Sequence, residues 1–179
     1  MDAFTYSTFT AIMAFVAIGL AVVAIVVRVA GSADQRHELA DAARWLAWLV
    51  ALTAMIGSLI FSEYFGFEPC RLCWFQRIAM YPLAVVLLVG ALRRDGAVRI
   101  YGLPLSLIGL GISIWHYLIQ TFPTLEAGSA CDPSNPCSAK YVNMFGFVSI
   151  PFMAGAGFLL ITVLLASFTG PNNPASETK

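Results

Sequence analysis

Charge is scarce in this chain. Asp, Glu, Lys and Arg make up 11% of its 179 residues, ten acidic against ten basic, for a formal net charge of zero. Without a basic stripe or a lysine cluster, nothing fits a nucleic acid or another polyanionic partner. Histidine is limited to His37 and His116, which fall on opposite sides of the membrane in the topology below and so exclude a bis-histidine haem. A glycine fingerprint for flavin is missing too. No Lys or Arg precedes the first apolar run, which is also too long for the core of a secretory leader, so it reads as a retained helix.

What is abundant is apolar surface. Hydrophobic residues make up 59% of the chain and the mean hydropathy is +0.80, the composition of an integral membrane protein. The length accommodates one bundle of four or five helices with short loops and no separate soluble enzyme domain. Any chemistry must therefore sit in the bundle or its loops.

A helix needs about 20 apolar residues to cross the hydrocarbon core. Five runs qualify: Thr5 to Val27, Trp45 to Phe61, Trp74 to Leu92, Tyr101 to Thr121 and Phe147 to Phe168. The third is the least regular, with Arg77 near one end and Pro82 inside. Gly31 to Asp41 reads as a solvated connector that begins the next helix, and the polar, proline-bearing segment 169–179 as a disordered tail. Small residues at Gly109, Gly111, Ala154, Gly155, Ala156 and Gly157 predict close packing of the fourth and fifth helices.

Basic residues set the orientation. Arg28, Arg36, Arg44, Arg93, Arg94, Arg99 and Lys179 share one side, against Arg71, Arg77 and Lys140 on the other. The first side is expected to be cytoplasmic. The amino terminus then lies outside, the carboxyl terminus inside, and all four cysteines outside, in an oxidising compartment.

Those cysteines form two pairs. Cys70-Arg71-Leu72-Cys73 sits where a loop meets a helix, with Pro69 before it. Its spacing puts two sulfurs one helical turn apart, and the unpaired N–H groups of a first turn favour thiolate. Arg77, one turn past Cys73, stands where a guanidinium would stabilise a thiolate or an anionic acceptor, or equally where it would snorkel to lipid headgroups. The second pair, Cys131 and Cys137, closes a small ring through Asp132-Pro133-Ser134-Asn135-Pro136 in the longest outward loop. From this segment alone, a permanent staple fits as well as a redox pair. An extended chain of about ten residues at roughly 3.3 to 3.6 Å each brings Cys131 within reach of the first pair. Two other readings are open: a scaffolding membrane protein with permanent disulfides, and a metal-binding protein ligating through all four cysteines, although the five-residue spacing is unlike a zinc knuckle.

The residues resemble the DsbB/BdbC family of membrane disulfide-bond formation proteins, which are thiol:quinone oxidoreductases. Glu68-Pro69-Cys70-Arg71-Leu72-Cys73-Trp74-Phe75-Gln76-Arg77 is similar to the family's CxxC and following arginine. Trp115-His116-Tyr117-Leu118-Ile119-Gln120 resembles its histidine-bearing segment, and Phe145-Gly146-Phe147-Val148-Ser149-Ile150-Pro151 the opening of its last helix. A vitamin K epoxide reductase-like enzyme shares the chemistry, but its redox motif comes late in the bundle.

The resemblance implies an all-α membrane protein: a four-helix catalytic bundle over residues 45–168, preceded by an additional transmembrane helix and connector at 1–44. It implies catalytic roles for Cys70, Cys73, Cys131 and Cys137. A reduced thioredoxin-fold oxidase of the DsbA or BdbD kind would attack Cys131, and Cys73 would deliver electrons to ubiquinone or menaquinone in a bacterial cell membrane. Arg77 would help hold the quinone, and His116 would assist if it faces the same pocket. His116 reads equally as an interfacial histidine. Trp74, Phe75, Trp115 and Tyr117 are candidates for the head-group site, or for an ordinary aromatic belt. No resident metal is expected. The short second loop resembles the Gram-positive branch.

Overall fold

A computed structural model describes residues 2–128 and 131–168; the expected disordered tail at 169–179 lies outside the described residues. Five helices are long and apolar enough to cross a membrane: α1 (Ala3–Ala30), α2 (Ala33–Leu59), α3 (Arg71–Leu92), α4 (Val98–Thr121) and α5 (Ile150–Phe168). α2 runs on into a π-helical turn, Ile60–Tyr64, and a short 3-10 helix, Pro123–Gly128, follows α4. Among the described residues there is no β-strand, only two isolated bridges in the loop before α5. The chain is an all-α multi-pass membrane bundle.

Local chemistry sets the ends. Asp2 caps α1 by accepting from the Thr5 N–H at 3.3 Å. α2 starts at Ala33, well before Trp45, because Ser32 and Gln35 form a capping box: the Ser32 hydroxyl accepts from Gln35 N–H at 3.2 Å and the Gln35 carbonyl accepts from Ser32 N–H at 3.0 Å. The polar stretch that reads as a connector is thus mostly the first turns of α2. Arg36 reaches back to donate to the Arg28 carbonyl at 3.2 Å, serving one orphan acceptor at the end of α1. Pro82 lies inside α3 without dividing it. The last helix begins at Ile150 rather than Phe147, after a turn in which Gly146 takes a φ of 81°.

α5 occupies the middle, packing on α4, α1 and α2; α2 also packs on α3, and α3 on α4. Apolar burial drives little association among helices in lipid, so close backbone approach and interhelical hydrogen bonds matter most. α1 buries Ala11, Ala14, Ala21 and Ala24, and α2 buries Ala43, Ala47 and Ala51. α4 and α5 meet as their small residues predict, and Thr162 on α5 donates to the Ser106 hydroxyl on α4 at 3.0 Å. Gly109 is the close-approach position: a Cβ there would run into the Phe158 ring. Gly111 faces open space and Gly157 turns toward Met80 and Val50, so neither makes the expected contact.

The two ends differ in chemistry. At one, Asp41 pairs with Arg44 and, at 3.6 Å, with Arg94, joining the start of α2 to the end of α3. The other carries the 65–70 and 122–149 loops, and with them all four cysteines.

Candidate functional site

Cys70 is the N-cap of α3, extended at φ −67° and ψ 170°, with its sulfur accepting from the Cys73 N–H at 3.4 Å. The two sulfurs lie 3.0 Å apart as free thiols. Hydrogen bonding from the Cys73 thiol holds Cys70 well below the ordinary thiol range; burial opposes this and the His116 ring adds to it. Cys70 is buried, while Cys73 is half-buried and opens on a cavity.

His116 stands between the cysteine pairs. It is buried near the loop end of α4, with Nε2 3.1 Å from the Cys137 carbonyl and 3.6 Å from Cys70 Sγ. A carbonyl only accepts, so Nε2 carries the proton. On the other side of the ring, Gln76 Nε2 lies 3.4 Å from Nδ1. One turn on, Gln120 donates to the Ala139 carbonyl at 3.1 Å, and Asn135 Nδ2 donates to the Pro69 carbonyl at 3.4 Å. These bonds seat the second loop on α4 and beside the first pair.

Cys131 and Cys137 form a disulfide. Asp132 shapes the ring as an Asx turn, accepting from the Ser134 N–H at 2.9 Å and the Ser134 hydroxyl at 2.8 Å. The Glu126 carboxylate accepts from the N–H groups of Cys137 and Ser138 and from the Ser138 hydroxyl. Cys137 is fully buried in one cluster with Cys70 and Ile119, whereas Cys131 is half-buried beside the exposed ring residues Asp132 to Ser134. The order from the loop surface inward is therefore Cys131, Cys137, Cys70, Cys73, then the cavity.

Arg77 is almost buried rather than extended toward a lipid headgroup. Its Nε donates to Ser58 Oγ and its Nη2 to the Ser58 carbonyl, both at 2.9 Å, fixing α3 to α2. Its guanidinium also lies 5.1 Å from the centre of the Trp74 ring, within cation–π range. The cavity beside it has a volume of about 380 Å³. It is walled by α1, α2, α3 and α5, with Cys73, Ser58, Gln76 and Arg77 among its lining residues. Its lining is mostly apolar, with Ser58, Gln76 and Arg77 toward the loops and Thr10, Thr53 and Tyr81 farther along. His116, Trp74, Phe75, Trp115 and Tyr117 do not line it. His116 faces the loop pair instead, Trp74, Phe75 and Trp115 are exposed on the outside of the bundle, and Tyr117 donates to the Phe147 carbonyl at 3.1 Å. The cavity's rings are others, including Tyr6, Phe61 and Phe158.

The four cysteines fall into two clusters: Cys70 and Cys73 converge with His116, and Cys131 and Cys137, bonded to each other, converge with Glu126.

Sequence reasoning brought the four cysteines and Arg77 forward but passed over Ser58, Gln76, Gln120 and Glu126. Gln120 had a readable signal, one turn from His116. Ser58 and Glu126 had none, because their partners are distant in sequence.

Comparisons with known proteins agree with this chemistry. The family profile described as disulfide bond formation protein DsbB matches residues 40–168. The probable disulfide formation protein C of Halalkalibacterium halodurans is 52% identical over 118 residues, spanning 65% of this chain and 85% of the relative. Disulfide bond formation protein C of Bacillus subtilis is 46% identical over 126 residues, 70% of this chain and 91% of the relative. The probable disulfide formation protein of Oceanobacillus iheyensis is 50% identical over 120 residues, 66% and 83% respectively. No solved structure matches.

Proposed function

The chain belongs to the DsbB family of disulfide bond formation proteins, and from that membership we propose that it reoxidises a soluble thioredoxin-fold oxidase and passes the electrons through both cysteine pairs to a membrane quinone. The observation that carries this reading is the inward order of the sulfurs, from half-buried Cys131 through buried Cys137 and Cys70 to Cys73 at the cavity.

Each transfer breaks one S–S bond and makes another. A thiolate of the reduced partner attacks Cys131, forming a mixed disulfide and releasing Cys137 as thiolate. Cys137 attacks Cys70 of the oxidised first pair, and Cys73 leaves as thiolate beside Arg77. The partner's second thiolate then displaces Cys131, and the partner departs oxidised. Cys131 attacks Cys137, restoring the loop disulfide and freeing Cys70. Two electrons now reside on Cys70 and Cys73.

His116 supports the middle step by holding the Cys137 carbonyl and Cys70 sulfur on one ring nitrogen. Arg77, fixed by Ser58, offers fixed positive charge at the cavity. Cys73, Arg77 and Ser58 would hold the quinone head. A bound quinone supplies an acceptor for two electrons and two protons, which lets the first pair return to its disulfide.

The excess of Arg in the segments 28–44 and 93–99 supports an orientation with both cysteine loops outside the cell membrane, the amino terminus outside and the carboxyl terminus cytoplasmic. Reduced partner added to right-side-out membrane vesicles is expected to reduce the quinone pool, with no such reduction in everted vesicles or with Cys73→Ser. Equal reduction in both vesicle orientations contradicts the sidedness. Reduction that persists in Cys73→Ser contradicts the route.

A further inference from the structure

α1 lies outside the span matched by the family profile, which begins at residue 40. It nevertheless forms a complete wall of the large cavity, from Tyr6 to Leu20. The cavity exists because α1 docks on α5 and scarcely touches α2, its neighbour in sequence. α2 forms the facing wall from Leu46 to Phe61. At 1.5 Å per residue, each wall is about 20 Å long.

The two ends of this channel differ. Near the loops it carries the Tyr6 hydroxyl beside Gly57, then Ser58, Arg77 and Cys73. Toward the other end the walls are Val16, Ala17 and Leu20 facing Leu46, Leu49 and Val50. A mostly apolar groove with the reactive sulfur, Ser58 and Arg77 toward its loop end, and only Thr10, Thr53 and the Tyr81 hydroxyl as polar groups farther along, fits a ligand with a polar ring and a long hydrocarbon tail. A ring alone would need only the loop end.

Resting on the quinone reading above, we propose that α1 is the wall of a channel for the quinone's prenyl tail, and that it makes the protein prefer long-tailed quinones to tail-less ones. Ala17, half-buried, and Leu20, exposed at the groove's edge, line the half away from the loops, so Ala17→Phe and Leu20→Trp narrow it while leaving Cys73, Arg77 and the loops untouched. Val22→Trp, on the exposed face of the same helix, is the control.

Two readouts test this on full-length protein in detergent: the quinone that co-purifies from membranes, extracted and quantified, and the KM for a prenylated quinone against its tail-less ring analogue. Both filling variants are expected to lose co-purified quinone and to raise the prenylated KM by about tenfold, the equivalent of losing roughly two buried methylene contacts. The tail-less KM and kcat should stay at wild-type values, which also shows that the variants fold, and Val22→Trp should match wild type throughout. A filling variant that folds and keeps wild-type affinity for the prenylated quinone overturns the proposal, as does an equal loss for both quinones. A wild-type protein that reduces neither quinone fails the quinone reading itself, a different result.

Discussion

Cys70 and His116 form the hinge of the account at the residue scale. The Cys73 thiol is the main reason Cys70 lies below its ordinary range, with the His116 ring contributing against the effect of burial. A lowered thiol value stabilises the reduced form and makes the corresponding disulfide a stronger oxidant. The sign follows from linkage: the stabilisation is complete above the ordinary thiol value and is lost as pH falls through the lowered one. The extra oxidising power of the first pair should therefore be greatest above the ordinary thiol value, shrink through neutral pH and vanish in acid below the lowered value. In His116→Ala, Cys70 should titrate higher, so the loss should set in at higher pH, and electron transfer from the loop pair should slow. Ultraviolet thiolate absorbance of the reduced protein against pH checks this. A titration curve unchanged in His116→Ala would remove His116 from the account. The motif pattern identified the histidine, but its orientation depends on the folded second loop, whose Cys137 carbonyl lies 21 residues away in sequence.

Among elements, the α4–α5 contact is the clearest case of packing decided by one missing side chain. Gly109→Ala would drive a methyl group into the Phe158 ring, and overpacking of this kind costs about 1–3 kcal/mol. Gly111→Ala meets open space and gains helix propensity, so it should be neutral or stabilising by up to about 1 kcal/mol. Unfolding of the two variants in detergent separates these outcomes, and equal stability would contradict the assigned interface. The small-residue pattern correctly named the pair of helices. Which glycine faces the partner depends on the rotation of α4 about its axis, which that pattern leaves open. Helix ends show a similar division. The five apolar runs were plain, but the charged start of α2 resembled a loop because its signal, Ser32 with Gln35, lies outside any apolar period.

For the whole molecule, the governing feature is directional burial. The sulfurs lead from a half-buried loop position through a buried junction to a cavity between helices. The two pairs and their chemical class were readable from cysteine spacing and the surrounding motif. The junction was not, since it depends on Glu126, Gln120 and Asn135 seating one loop against another. Nor was the cavity, which is a gap between α1 and α2 and therefore a property of how helices fail to meet.

The relay itself is tested most directly by a single turnover without acceptor. Fully oxidised, quinone-stripped protein is mixed anaerobically with one equivalent of reduced thioredoxin-fold partner, quenched with acid, alkylated and mapped by mass spectrometry. An oxidised partner, an intact Cys131–Cys137 disulfide, and alkylated Cys70 and Cys73 are expected. Recovery of alkylated Cys131 and Cys137 with Cys70 and Cys73 still joined would show that the loop pair keeps the electrons, and would contradict the relay.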